Sequence, residues 1–302
     1  MNSVTKPRVF AFICVIIWSF ISIIAKIGQQ SLNFYQFLFF SNIISLITVI
    51  LASLSAGRSF FQIFIIRPSV AGGAMCLGVL DCLFYLAIYR GYSLENGIAV
   101  LIAQYSWPIM TVILSSIRDS KWPNHKKIFG LTIGMIAIIT TLTKGNITNI
   151  NIANPIGIII VLAGAFCFAL LSTLSKIFVS DKFVGTVWIF LSSTIISFFL
   201  VSYFSSFQLY TSTNIFVILL NGIFINGLSY ILWVTACTEG DATEIASLVF
   251  LSPVLSAIWL VSFFHEAFVP AYAVALTLVL VSGIMCIGGR RSQVTKSKCN
   301  RI

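Results

Sequence analysis

The chain is divided into ten long apolar runs, and this feature restricts its possible folds more than any other. Each run has about 17 to 25 mainly apolar residues, the length that an α-helix needs to cross a bilayer. Short polar segments such as "AGRS" (56–59) and "KWPNHKK" (121–127) separate them. The runs cover approximately residues 9–27, 34–56, 69–91, 94–117, 127–144, 155–178, 184–204, 213–237, 242–264 and 269–289.

Composition supports a membrane location. Only 9% of the 302 residues are charged and 59% are hydrophobic, whereas a soluble protein of this length needs more charge to cover its surface. The net charge of +10 raises the possibility of nucleic-acid binding, but the basic residues lie in short loops and termini and no nucleic-acid motif accompanies them. The sequence therefore predicts an all-α membrane protein with ten transmembrane helices and no nucleic-acid partner.

The basic residues also predict an orientation. With the N-terminus inside, 15 Lys and Arg residues fall on the cytoplasmic side and only Lys26, Arg90 and Lys144 on the outer side. We therefore expect a multi-pass protein of the inner (plasma) membrane with both termini cytoplasmic. The tail at 291–302 is predicted to be a cytoplasmic topology signal beside anionic lipid. The first run lacks a small-residue cleavage site, so we expect it to be retained as a span.

Self-comparison shows an internal repeat. "WSFISIIAKI" (18–27) aligns with "FALLSTLSKI" (168–177) at an offset of 150, which matches Ser22 to Ser172 and Lys26 to Lys176. At an offset of 145, "LDCLFYLAI" (80–88) aligns with "INGLSYILW" (225–233), and "QYSWPIMT" (104–111) aligns with "VFLSPVLS" (249–256). These alignments match three pairs of residues, namely Asp81 with Asn226, Tyr85 with Tyr230 and Pro108 with Pro253.

The repeat predicts two halves of opposite orientation. Residues 1–145 form the first five-helix repeat, and residues 154–290 form the second. Because five is an odd number, the second copy enters the membrane the other way up, so a pseudo-two-fold axis in the membrane plane relates the halves. Secondary transporters commonly have this arrangement, with the substrate site between the halves near the membrane midplane.

Several motifs resemble those of a known family. "IIWS" (16–19), "SWP" (106–108), "SPVLSAIW" (252–259) and "FFHE" (263–266) are similar to the drug/metabolite transporter superfamily, EamA type. Within it, the aromatic amino-acid exporter group (YddG type) is the most similar. It shares Trp18-Ser19, the Tyr105-x-Trp107-Pro108 pattern, Tyr230, Trp233, Gly240, Ser252 to Ser256, and an acid at Asp81. The resemblance implies ten helices in two inverted halves around a central cavity, and export of an aromatic or neutral amino acid.

Asp81 is the strongest candidate site residue. A charged Asp at the centre of a span costs about 2.5–3.5 kcal/mol on insertion scales, so we expect it to face a wet cavity or a partner rather than lipid. Tyr85, one turn later, extends the same helix face. Asp81 is interpreted either as the group that holds a substrate amino group or carries a proton, or as a structural acid bonded to neighbouring helices.

Further candidates lie on polar or aromatic stripes of other helices. We predict substrate binding by two groups, one in each half: Trp18, Ser22, Gln104 and Trp107, and then Asn226, Tyr230 and Trp233. Gating or helix kinking is predicted for Lys26, Pro108, Lys176, Glu244 and Pro253. Alternatives remain open for the second set. The two lysines can be snorkelling anchors, the prolines can be packing kinks, and Glu244 can belong to the capping of the helix that Asp241 begins.

The sequence contains no pattern that indicates catalysis or cofactor binding. Two histidines fit no metal or nucleophile pattern, and neither a P-loop nor a Gly-rich nucleotide motif is present. The seven cysteines form no CxxC pair and six of them lie inside apolar runs, so we expect small buried residues rather than disulfides or metal ligands. We therefore predict no enzymatic activity, cofactor or metal.

The predicted function is secondary transport of a small amphipathic metabolite by alternating access. Export of an aromatic or neutral amino acid is favoured, and the alternative is uptake or exchange of another metabolite, such as S-adenosylmethionine, a nucleobase or a drug. The expected partners are the substrate, membrane lipid and, as a second candidate, protons. A monomer or weak homodimer is expected.

Overall fold

Helices account for all regular structure in the part of the chain that the structure describes. This computed structural model describes residues 5–28, 32–95, 97–150, 152, 154–207, 212–264 and 268–287, and no strand occurs among them. The predictions for the side chains of Ser22 and Lys26 and for the tail 291–302 lie outside the described part, so they stay predictions.

The helices follow the order of the predicted runs. The first half contains α1 (Thr5–Trp18), α2 (Ile21–Gly28), α3 (Phe34–Ser55), α4 (Phe60–Phe64), α5 (Pro68–Leu94), α6 (Gly97–Gln104), α7 (Trp107–Asp119) and α8 (His125–Leu142). After a short 3₁₀ turn (Ile147–Asn149), the second half contains α9 (Pro155–Phe178), α10 (Lys182–Phe204), α11 (Ser212–Leu220), a π-helical segment (Asn221–Leu228), α12 (Ser229–Glu239), α13 (Ala242–Val249), α14 (Leu251–Phe264) and α15 (Pro270–Cys286).

The described helices make the chain a multi-pass membrane protein. Helix is present in each of the ten predicted ranges. Eight helical stretches are long and apolar enough to cross a membrane, and Pro270–Cys286 is a shorter apolar helix. The first predicted span is divided into α1 and α2, so it does not form one uninterrupted helix.

Two interruptions fall where proline removes a backbone hydrogen bond. Pro108 cannot donate to the carbonyl of Gln104, and α6 ends at that residue. Pro253 cannot donate to the carbonyl of Val249, and α13 ends there. The breaks therefore lie one turn before the two prolines that were predicted to kink their helices.

The break between α1 and α2 has no proline or glycine to cause it. Instead, two side chains of α14 bind the chain at Ser19. The Ser256 hydroxyl donates to the Ser19 carbonyl at 2.6 Å, and Trp259 Nε1 donates to Ser19 Oγ at 2.8 Å. The Ser256 bond satisfies the backbone carbonyl that the broken helix frees, as a buried carbonyl in a membrane requires. The break thus depends on a contact between the two halves.

The principal helix packing runs between the two halves. α5 packs against α9 and α10, α3 packs against α10 and the π-helical segment, and α8 packs against α15. Small residues allow the close approach: a Cβ on Gly164 would lie 2.5 Å from Ala87 Cβ, and one on Gly78 would lie 2.2 Å from the Ile189 carbonyl oxygen. The centre of the molecule is consequently lined by helices from both halves.

We expect Gly78→Ala to destabilise the fold by about 1–3 kcal/mol, because the new methyl group overlaps a backbone atom of α10 that cannot rotate away. Gly72→Ala, on the same helix, is the matched control because no atom lies within 4 Å of its added Cβ. That change should be neutral or slightly stabilising. Thermal unfolding of the two purified variants in detergent tests this; equal midpoints would contradict the packing described here.

Candidate functional site

Five aromatic side chains form a buried cluster at the centre of the bundle. They are Trp18, Trp107, Phe168, Tyr230 and Trp233, and each is at most 8% exposed. Trp18 is 5.0 Å from Trp233 and 6.3 Å from Trp107, measured between ring centroids, and Trp107 is 4.8 Å from Phe168. Most of these pairs meet edge to face, the geometry that the aromatic quadrupole favours.

The helix interruptions position two of these rings. Trp18 is the last residue of α1 and Trp107 the first of α7, so each lies beside a break. Trp18 Nε1 donates to Ser229 Oγ at 2.9 Å, and Trp233 Nε1 donates to Ser172 Oγ at 3.1 Å. Both indole N–H groups are therefore satisfied by the second half, as buried indoles usually are.

Asp81 adjoins this cluster and is 1% exposed. Tyr230 Oη donates to Asp81 Oδ1 at 2.5 Å, and Ser193 Oγ lies 3.4 Å from Oδ2. The Ser193 carbonyl in turn accepts from the Asn42 amide at 3.3 Å. No Lys, Arg or His of the described residues forms an ion pair with Asp81. The carboxylate is thus held by neutral donors from the second half.

A second hydrogen bond mirrors the first. Tyr85 Oη donates to Asn226 Oδ1 at 3.4 Å. The repeat matches Asp81 to Asn226 and Tyr85 to Tyr230, so the Asp81–Tyr230 and Tyr85–Asn226 bonds join the same two positions in opposite directions. Such exchange of partners is what a two-fold relation between surfaces produces.

The structure brings seven predicted substrate-site residues into one connected group: Trp18, Asp81, Tyr85, Trp107, Asn226, Tyr230 and Trp233. Gln104 is half-buried at the end of α6, and its side chain forms no hydrogen bond with the described residues. Pro108 and Pro253 are buried near the helix interruptions. These placements define a candidate site, and its role in transport remains a proposal.

Sequence reasoning missed three contributors. Phe168 contacts three aromatic members of the group, Trp18, Trp107 and Tyr230, and its alignment with Trp18 at the offset of 150 was a usable signal. Ser193 and Ser229, which bond Asp81 and Trp18, have no such signal, because serines are common in these spans and only the fold selects these two.

Two small voids flank the cluster. One of about 10 Å³ lies between Trp107, Ser172 and Trp233, and one of about 30 Å³ lies beside Tyr85 and Asn226. Ligand pockets usually measure about 300–1,000 Å³, whereas a single water needs roughly 10–15 Å³. Each of these two voids is therefore far smaller than a ligand pocket.

Five ion pairs connect the halves at the face of the bundle where α1 begins, termed here the N-terminal face. Arg8 Nε lies 2.8 Å from Glu244 Oε2, and the Glu244 side chain is only 8% exposed. The other four pairs are Lys6–Glu239, Arg58–Asp181, Lys127–Asp241 and Lys176–Asp119. Lys176 and Glu244, predicted as gating residues, thus both bind the opposite half. Asp241 also caps α13, as predicted, through the amides of Thr243 and Glu244.

The described residues contain no group of three His, Cys, Asp or Glu side chains able to hold a metal.

Comparison with known proteins identifies the family. The model of the EamA-like transporter family matches residues 6–143 and again residues 155–288, so the chain belongs to the EamA-like transporter family. A search of curated proteins found no match. In fold, the chain is similar to a solved crystal structure with a TM-score of 0.85 and 17% sequence identity, over 94% of this chain and 97% of that chain.

We expect Arg8→Gln to lower the free energy of unfolding by about 2–3 kcal/mol, because it removes a charge-assisted hydrogen bond to the buried Glu244 carboxylate. Lys6→Gln is the matched control. Lys6 and Glu239 are 36% and 40% exposed, so that change should cost at most about 1 kcal/mol. Denaturant unfolding of the purified variants measures both values, and equal losses would show that burial does not distinguish the two pairs.

Proposed function

We propose that this chain is a secondary transporter that exports an aromatic or other neutral amino acid by alternating access. The substrate contacts the aromatic cluster and Asp81, and the two halves move about this site to expose it to each side in turn. Family membership supports membrane transport. The substrate and the mechanism are inferred from the site and from the resemblance in the sequence.

The observation that carries the proposal is a buried carboxylate with neutral partners beside a wall of aromatic rings. A carboxylate with no cation bound to it can accept a substrate ammonium group, and aromatic faces attract both planar apolar groups and cations. Asp81 accepts a hydrogen bond from Tyr230, and Trp18 contacts the Tyr230 ring. A single ligand can therefore reach the carboxylate and the aromatic rings together. This combination fits an amphipathic amine with a flat side chain.

Alternating access is supported by the pairing of the halves. The family model matches twice, the sequence repeats at a nearly constant offset, and the Asp81–Tyr230 and Tyr85–Asn226 bonds are reciprocal. Inverted repeats give a transporter two related conformations by exchanging the arrangements of its halves. On this proposal, residues 1–145 and 154–290 are the two repeats, and α2, α6 and the π-helical segment lie at interruptions where a helix can bend.

The N-terminal face is proposed to be cytoplasmic, with the protein in the inner or plasma membrane. Its basic residues support this assignment through the positive-inside rule. Its five ion pairs between halves then close the cytoplasmic side, and they must separate for the substrate to be loaded from that side.

We expect Asp81→Asn to slow tryptophan counterflow in proteoliposomes by tenfold or more, because the amide cannot balance an ammonium charge; one pairing worth about 1.4 kcal/mol is tenfold. Counterflow of tryptamine, which keeps the ammonium group, should slow as much as that of tryptophan. Counterflow of indole-3-propionate, which lacks this group, should change little. Tyr230→Phe keeps the carboxylate and removes only its phenol donor, so a smaller loss is expected.

The substrate series separates the possible outcomes. Equal losses for all three compounds would assign Asp81 a structural role. If the wild-type protein moves none of them but moves S-adenosylmethionine, the second candidate function replaces the first; a sulfonium cation inside an aromatic wall is compatible with the same residues. Monodisperse elution in size-exclusion chromatography is required of every variant.

Proton coupling is the remaining role proposed for Asp81. If this carboxylate releases a proton when substrate binds, an imposed outward tryptophan gradient should drive protons inward, detected with a pH-sensitive dye in the vesicles. The Asp81→Asn protein should abolish that signal even where residual substrate flux remains. Wild-type flux without proton movement would make the protein a facilitator.

A further inference from the structure

A cavity of about 740 Å³ lies on the N-terminal face, away from the aromatic cluster. It is an open cavity bordered by the end of α3, the short helix α4, the start of α5 and the turn between α9 and α10. Its lining is Gly57, Arg58, Gln62, Ile65, Ile66, Arg67, Val70, Ser180, Asp181, Val184 and Gly185. None of these residues belongs to the candidate transport site.

The cavity lies at the level of the lipid headgroups. The apolar span Phe34–Ser55 ends beside it, and the spans Pro68–Ile88 and Lys182–Phe204 begin beside it. Trp188 Nε1, on the second turn of α10, donates to the Ile63 carbonyl at 2.9 Å. Tryptophan is enriched at this depth of a membrane protein. The cavity therefore lies at the depth of the phospholipid phosphates in the bilayer.

Asp181, the one acidic residue in the lining of the cavity, is already paired with Arg58. Asp181 accepts from Arg58 at 2.8 Å and caps α10 through the amides of Phe183 and Val184. Partial burial acts to raise the pKa of Asp181, but hydrogen bonds from Arg58 and from these two amides outweigh burial and hold the pKa below its ordinary value. The carboxylate therefore stays ionised at neutral pH and neutralises Arg58.

The remaining polar groups are donors. Arg67 is exposed, and no carboxylate of the described residues pairs with it. Gln62 uses its carbonyl oxygen to accept from the Ser59 amide at 2.9 Å, which leaves its NH₂ group as a donor, and Ser180 adds a hydroxyl. A cavity with a net positive charge and surplus donors selects an anion.

Exposed apolar side chains lie in and next to the cavity lining, and they are termed its apolar rim here. Ile65 is in the lining and is 72% exposed. Phe60 and Phe61 precede the lining residue Gln62 in α4 and are 60% and 70% exposed, whereas Ile63 is fully buried. A short amphipathic element with these side chains outward suits the boundary between headgroups and acyl chains. A soluble anion would gain nothing from this rim.

We propose that this cavity binds an anionic phospholipid, with its phosphate at Arg67 and its acyl chains against Phe60, Phe61 and Ile65. Charge complementarity and the apolar rim together specify a lipid rather than a dissolved phosphate. The lipid joins α4 and α5 of the first half to α10 of the second, so it binds where the Arg58–Asp181 pair also joins the halves.

Native mass spectrometry of the full chain tests the site, with dioleoylphosphatidylglycerol and dioleoylphosphatidylcholine as probes. Wild-type protein should retain phosphatidylglycerol in preference to phosphatidylcholine. Arg67→Gln should weaken phosphatidylglycerol binding about fivefold, the effect of losing one basic residue beside an anionic lipid. Arg67→Lys should restore most of it. Arg67 makes no side-chain cap for α5, so these variants should fold.

Lys121→Gln is the matched control, because Lys121 is an exposed base on the same face but outside the cavity. It should leave binding unchanged. Equal losses for Lys121→Gln and Arg67→Gln would overturn the proposal in favour of diffuse surface charge. Displacement of phosphatidylglycerol by millimolar inorganic phosphate would equally overturn it, because it would identify a soluble-anion site. Neither outcome bears on which substrate is transported.

Discussion

The hydrogen bond between Asp81 and Tyr230 is the interaction on which the centre of this protein depends. An ionised Asp in the middle of a span costs several kcal/mol unless it is solvated or bonded. Here the Tyr230 phenol of α12 provides the bond at 2.5 Å, and the Ser193 hydroxyl of α10 lies 3.4 Å away and shares its proton with the Gly78 carbonyl at 3.0 Å. Both helices belong to the second half. The need to satisfy one carboxylate therefore fixes α5 of the first half between two helices of the other.

The same principle explains the broken helices. A helix that crosses hydrocarbon satisfies its own backbone, so a break is stable only where another group replaces the lost bond. Ser256 does this for the Ser19 carbonyl. The break in turn places Trp18 at a helix end, where its indole reaches Ser229 on α12. Polar pairing across the halves thus determines where the aromatic rings lie.

Hydropathy alone predicted the helical ranges, since the membrane allows little else for an apolar run of about 20 residues. Helix periodicity and the repeat together predicted the connected residues around Asp81, because steps of three and four place side chains on one face. The division of the first span was not predicted, as "IIWSFISII" has no proline or glycine and the break arises from Ser256 and Trp259, more than 200 residues away.

The sequence also did not predict which residues pair with each other. Asp241 was predictable as a cap from its local pattern, but its ion pair with Lys127 depends on how α8 packs beside α13. Glu244 is similar: its position in the first turn of α13 is local information, whereas its burial against Arg8 is tertiary. Gln104, which lies on the predicted face but whose side chain forms no hydrogen bond with the described residues, shows that periodicity specifies a direction and not a contact.

The energies at the N-terminal face suggest how the proposed site controls opening. Three of its five ion pairs have both side chains about a third or more exposed, and such pairs contribute at most about 1 kcal/mol each. The two more buried pairs, Arg8–Glu244 and Lys127–Asp241, contribute most of the free energy that opposes separation of the halves at this face. The five ion pairs together contribute a few kcal/mol, which is less than the binding free energy of roughly 8 kcal/mol of a ligand with a micromolar Kd.

A ligand shifts this equilibrium only through its different affinity for the two states. An ammonium group that binds Asp81 competes with the Tyr230 phenol, and Tyr230 lies on α12. That helix ends at Glu239, and Asp241 and Glu244 follow within five residues, so one short segment carries both the phenol at the site and three of the acids that close the face. On the proposed mechanism, displacement of Tyr230 acts directly on the segment whose ion pairs must separate, so substrate binding would be coupled to opening without a longer pathway.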